Sequence, residues 1–266
     1  MAQGASSEGV RYWGMSSTPF PTTLPAVSPE TTIGALVAAK PALARLFEKL
    51  DIDYCCGGKQ TLAAACARKG LDVSTTIILL ESATAALNAG PAEVDAAAMD
   101  LAELADHIET THHAYLKGEL PRLVEMADRV AAKHGWRDAR LVRVSGAVHA
   151  LAEEMISHMR KEEIILFPLV RQIERAGSAV PSAEELAGPI RQMEAEHEGA
   201  GELTAELRQL TDGFTPDGEA CNTHRALLAG LADFESDLHR HVHKENNVLF
   251  PRALALAGSP SVRGQA

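Results

Sequence analysis

The chain has 266 residues, 46% hydrophobic and 23% charged, enough apolar material for one large or two small packed domains, which excludes a disordered chain. A formal net charge of −11 argues against nucleic acid or an anionic membrane surface as partner. Aromatics are only 4% while Ala and Leu abound, which favours helices, and no run of about 18 apolar residues is present to span a bilayer.

Residues 1–28 are rich in Ser, Thr, Pro and Gly without an apolar period and read as a disordered leader. They lack a basic region followed by an apolar core, so no secretory signal is expected. Residues 30–88 read as a small unit of short helices. One runs from Pro41 to Leu50, one follows Gly57-Gly58 and stops at Lys69-Gly70, and one covers Thr75 to Leu87 with Ser74 as its cap. Between the first two lies Asp53-Tyr54-Cys55-Cys56-Gly57-Gly58-Lys59. Adjacent thiols at a Gly-Gly turn are a poor disulfide framework and point to a reducing, cytoplasmic setting. Cys55 and Cys56 are expected to be exposed, with thiol pKa values lowered by the N-terminus of the helix from Thr61 and by Lys59. Such thiols can ligate a soft metal, carry a persulfide or exchange disulfides. Cys66 and Cys221 are expected only to pack. Asn88-Ala89-Gly90-Pro91 reads as a linker.

Residues 97–257 show four long helical patterns. The first ends at Lys133-His134-Gly135. The second runs from about Asp138 to Ala176, the third from Ser182 or Pro189 to just before Asp212, and the fourth from about Gly218 to Ala257. Short connections make neighbours antiparallel. Pro168 and Pro251 are expected to kink or tighten their helices.

The second and fourth helices carry one motif twice. His158 and Glu162 lead into Leu166-Phe167-Pro168; His241 and Glu245 lead into Leu249-Phe250-Pro251, at a constant offset of 83 residues. A His and a Glu four apart share one helix face. Two such faces turned to a bundle axis offer a buried metal pair two imidazoles and two carboxylates. Either motif alone would be an ordinary amphipathic helix; the repeat makes coincidence a poor account.

Of the eleven histidines, most have simpler readings. His239 and His243 flank His241 at about 200° around the helix and face away from its side, as His149 does from that of His158. His134 suits a helix end, and His224 lies far from the metal level. His113 falls level with His158 about the first turn, and Glu162 level with His197 about the second; about the third, His197 and His241 are less symmetrical, at about 18 and about 26 residues, a difference that a longer irregular loop would absorb. His112 is the nearest rival to His113. The preferred set is His113, His158, Glu162, His197, His241 and Glu245, two imidazoles per metal with both carboxylates bridging. Imidazole with carboxylate and open positions suits iron or manganese, whereas a structural zinc favours a closed site, often with thiolates; iron is the expected metal. Glu163 and Glu196, beside ligands, are the candidates to orient them.

The segment Leu46 to Leu62 resembles the N-terminal domain of the iron–sulfur cluster repair di-iron proteins (RIC, the YtfE/ScdA type). Ser157 to Pro168, Met193 to Leu203 and His241 to Leu254 resemble their hemerythrin-like domain. The resemblance covers about 30 to 257. It implies an all-α protein: a hemerythrin-like up-down four-helix bundle at 97–257 behind a small N-terminal helical domain at 30–88. It implies two non-haem iron ions, carboxylate- and oxo-bridged, on the six residues above. It also selects His113 over His112, eight residues before the Pro of Leu120-Pro121. Further implications are a cytoplasmic homodimer acting on damaged iron–sulfur cluster proteins by supplying iron, in contact with nitric oxide or dioxygen. Cys55 and Cys56 would act in iron or sulfur transfer, and the role is one of delivery rather than catalysis. A hemerythrin-like nitric oxide or dioxygen sensor or carrier is the alternative. His112 departs from the family pattern, standing where an aromatic is expected.

Overall fold

The computed structural model describes residues 27–87, 95–174 and 181–258. Most of the leader, the 88–91 linker and the Ala176-Gly177 stop lie outside these. Among the described residues the only β-type pairing is one isolated bridge, Thr32 with Thr61.

The N-terminal unit begins with α1 (Ile33–Ala39), a helix absent from the sequence reading. Its cap is explicit: Thr32 Oγ1 accepts from the Ala35 amide. A single 3₁₀ turn (Pro41–Leu43) leads into α2 (Ala44–Lys49). A second such turn (Cys56–Lys59) precedes α3 (Leu62–Lys69), which Thr61 caps and Gly70 ends at φ 66°. In α4 (Val73–Leu87) the cap is Asp72, not Ser74: its Oδ1 accepts from the Thr75 amide at 2.7 Å. Ile33, Leu36, Leu43, Phe47, Leu62 and Leu80 close a small apolar core.

Four long helical rods follow. The first is α5 (Leu101–Ile108) and α6 (Ala114–His134). The second is α7 (Arg140–Lys161) and α8 (Phe167–Glu174). The third is α9 (Ala183–Leu210), started at Ser182 by a reciprocal capping box with Glu185, so that Gly188-Pro189 lies inside it. The fourth is α10 (Asn222–Lys244) and α11 (Phe250–Gly258). Rod one packs on rods two and four, and rod three on rods two and four, closing a four-helix bundle.

Three rods are interrupted by a single widened π turn: Glu109–His113, Glu162–Leu166 and Glu245–Leu249. The sequence reading expected Pro168 and Pro251 to kink or tighten their helices. The turn ahead of each is opened rather than tightened. Proline lacks an N–H and crowds the carbonyl of the preceding turn, and an extra residue per turn relieves that crowding. These turns hold His113, Glu162 and Glu245. The bundle interior divides there into two apolar clusters, one built on Leu116, Leu151 and Phe234, the other on Leu104, Phe167 and Phe250.

Candidate metal centre

His113, His158, Glu162, His197, His241 and Glu245 come from four different rods and meet at the boundary between these clusters, each at most 2% exposed. They form two groups that share both carboxylates: His113, Glu162, His241 and Glu245, and His158, Glu162, His197 and Glu245. Within each group the ligand atoms lie within 4.8 Å of one another. The Nε2 atoms of His113 and His241 are 3.3 Å apart, and those of His197 and His158 3.0 Å. Glu162 Oε2 sits 3.3 Å from His113 Nε2 and 3.2 Å from His158 Nε2. Glu245 reaches both pairs too, Oε1 at 3.0 Å from His241 Nε2 and Oε2 at 3.1 Å from His197 Nε2.

Both oxygens of Glu162 and Oε2 of Glu245 are buried without a hydrogen-bond donor. A buried carboxylate oxygen in that condition is costly unless a cation satisfies it. Four Nε2 atoms converging on two such carboxylates fit a pair of divalent cations. The electrostatics agree. Burial and mutual repulsion push the Glu162 carboxyl up, and the facing imidazoles outweigh them and hold it down. Burial likewise opposes, and His241 and His197 overcome, for Glu245, held well below the usual carboxylate range. Conversely burial depresses His158, but Glu162 and Glu245 lift it to about 9. The pocket favours positive charge at its centre.

Three of the four imidazoles are oriented through the far ring nitrogen. His113 Nδ1 donates to Glu163 at 2.8 Å, His158 Nδ1 to Glu196 at 3.0 Å, and His197 Nδ1 to Asn246 at 2.9 Å. Such partners fix the tautomer and raise the basicity of Nε2. Glu163 and Glu196 were anticipated from sequence. Asn246 was not, although the repeat held the signal: it follows Glu245 as Glu163 follows Glu162. Phe167 and Phe250, also related by the repeat, stack on His113 and His197 at 5.6 and 6.3 Å. His112 is buried, ruling out a simple solvated reading.

Residues 83–253 match the family described as the hemerythrin HHE cation binding domain. The chain belongs to that family. Residues 29–84 match a Domain of Unknown function (DUF542). The chain is 42% identical over 223 residues to the iron-sulfur cluster repair protein YtfE of Escherichia coli O157:H7, covering 84% of this chain and 96% of that one. The protein of the same name from Escherichia fergusonii is 41% identical with the same coverage. In this hemerythrin-type bundle no described helix is long and apolar enough to cross a membrane.

The thiols differ from expectation. Cys55 is buried at 6% exposure and joins the apolar cluster of the bundle. Its pKa is raised, not lowered, by the hydrogen bond with Cys56, by burial and by the Asp53 carboxylate. The N-terminus of α3 is taken by the Thr61 cap, and Lys59 Nζ turns away to Glu194 at 2.7 Å. Asp53 instead organises the loop, accepting from the Cys55 amide and the Gly57 amide, each at 2.9 Å. Cys56 is half-buried. The loop docks on the fourth rod, where Asn247 Nδ2 donates to the Cys55 carbonyl at 2.9 Å. A cavity of about 1250 Å³ lies alongside, and Cys55, Cys56 and the ligand-bearing His197 all line it. Cys66 is buried, as expected; Cys221 precedes α10 without a side-chain capping bond, its Sγ 3.3 Å from His134 Nε2.

Proposed function

We propose that the protein is a di-iron protein that repairs iron–sulfur clusters damaged by nitrosative or oxidative stress by supplying iron to them. The observation that carries this reading is the pair of buried His₂Glu₂ groups sharing Glu162 and Glu245. One iron would be held by His113 and His241, the other by His158 and His197, with both carboxylates bridging and further positions open to solvent-derived or gaseous ligands. Bound there, iron supplies a redox-active, ligand-accepting centre in a dry bundle. The chain's own residues hold three of the four imidazoles in one tautomer, and the two carboxylates would neutralise the metal charge. The name borne by the relatives supports repair as the purpose.

Cys55 and Cys56 would take iron or sulfur in transit, a role supported by their place, with the candidate ligand His197, on the lining of one cavity. Since Cys55 is buried, transfer requires the docked loop to move. The partners would be damaged cluster proteins, with nitric oxide or dioxygen reaching the centre. The protein would work as a cytoplasmic homodimer. The test is metal content with a Mössbauer spectrum of the isolated protein. Two irons per chain in a coupled pair are expected; one tetrahedral zinc per chain would contradict the reading.

A further inference from the structure

The bundle is internally repeated, and the repeat is broken at one point beside the metal centre. The residue after each bridging carboxylate serves a ligand on a neighbouring rod: Glu163 accepts from His113, and Asn246 accepts from His197. The residue before His197, Glu196, accepts from His158. By the same relation the residue before His113 should accept from His241. That residue is His112, and it does not. Its ring instead lies parallel to the His241 ring, 5.4 Å between centroids and 3° between planes. His241 Nδ1 is buried and has no hydrogen-bond partner.

The His112 ring is held at both nitrogens. Nδ1 donates to the Asp237 carboxylate at 3.0 and 3.1 Å, and Lys244 Nζ donates to Nε2 at 2.6 Å. It also forms a wall of a cavity of about 400 Å³ between the N-terminal unit and the bundle, faced by Pro41, Arg45 and Tyr54. Glu196, by contrast, is tied down by Lys161 and Gln192 while it takes the His158 proton.

We infer that His112 is a positioning residue that makes the two metal positions unequal, so that the iron on His113 and His241 is the one released for delivery while the iron on His158 and His197 is retained. A ligand imidazole that donates its far N–H is a better donor at Nε2, and loss of such a partner costs roughly 10–100-fold in metal affinity. Both imidazoles of the retained position have that support; only one at the labile position does. Stacking on His112 keeps the His241 ring aimed without adding to its basicity. The inference rests on the di-iron reading above.

The experiment is chelator-driven release from the diferrous, full-length protein, followed by optical absorption of the ferrous chelate. Two phases of equal amplitude are expected, with rates at least about 10-fold apart. Anomalous diffraction on crystals of the species left after the fast phase should place iron at His158 and His197. The variant His112→Glu restores a carboxylate where the repeat calls for one, and should slow the fast phase toward the slow one. Asn246→Leu should instead accelerate the slow phase. Residual iron at His113 and His241, release in a single phase, or a His112→Glu variant that leaves the fast phase unchanged would each overturn the inference. The total iron count tests the di-iron reading separately: two irons leaving together would sink the asymmetry and leave that reading standing.

Discussion

Replacing Glu245 by alanine should remove iron from both positions at once. The side chain is fully buried and contributes to both four-residue groups, with one oxygen 3.0 Å from His241 Nε2 and the other 3.1 Å from His197 Nε2. Its loss would take a ligand from each metal and leave cationic charge uncompensated in a buried site. Removing one member of a buried ion pair costs about 3–5 kcal/mol. At about 1.4 kcal/mol per decade this corresponds to roughly two to three and a half decades of iron affinity. The assay is equilibrium competition for ferrous iron against a coloured chelator, with circular dichroism to check the bundle. His239→Ala is the control, because its ring packs edge-on against Tyr54 at 6.0 Å and away from the metals. It should change affinity about twofold at most, the scale of a surface effect. A Glu245→Ala protein that kept both irons within tenfold of the parent affinity, or lost only one, would refute the shared-carboxylate geometry.

Three other outcomes follow from the thiol loop and its docking. The double variant Cys55→Ser, Cys56→Ser should keep two irons and its helicity, since no thiolate belongs to the six-residue set, yet fail to reactivate a damaged cluster enzyme; full reactivation would remove the thiols from the mechanism. In the folded protein a maleimide should label Cys56 well before Cys55, because Cys55 is buried with a raised pKa; equal rates would show that the loop is open in solution. Gly58→Ala places a Cβ against Asn247 Oδ1, too close for both to stay where they are, at the seam between loop and bundle. Overpacking of this kind costs about 1–3 kcal/mol, which a thermal melt reads as roughly 2–4 °C per kcal/mol in a domain of this size; an unchanged midpoint would mean that the seam is not formed.

What could be read from sequence was whatever repeats or has a period. The His-Glu spacing, its recurrence in the fourth rod and the height of His113 and His197 about the turns all follow from helix geometry, and the structure brings those six residues together. The widened turns could not be read. A π turn differs from an α turn by one residue of hydrogen-bond register and leaves no pattern of residue types, so Pro168 and Pro251 alone point to a kink or a tightening and not to an opened turn ahead of them. The thiol loop was misjudged for a different reason. Gly57-Gly58 permits exposure, but the burial of Cys55 is decided by Asn247 and the α10 surface, which are about 190 residues away in the chain and contribute nothing to local propensity. Asn246 is related to Glu163 by the 83-residue repeat, but its amide carries no charge and so gives no electrostatic signal of a partner for an imidazole. The helix Ile33–Ala39 is only two turns long, and its Thr32 cap is a weak signal beside the adjoining prolines.

The central claim, that this protein mends clusters by giving up its own iron, is tested most directly with an isotope. The protein is loaded with ⁵⁷Fe, reduced and incubated with a cluster-damaged hydro-lyase in natural-abundance buffer, and the two proteins are then separated. The reactivated enzyme should show the Mössbauer signature of a ⁵⁷Fe-containing cluster, with matching loss of label from the donor. Reactivation without ⁵⁷Fe in the cluster, or label retained in full by the donor, would contradict it.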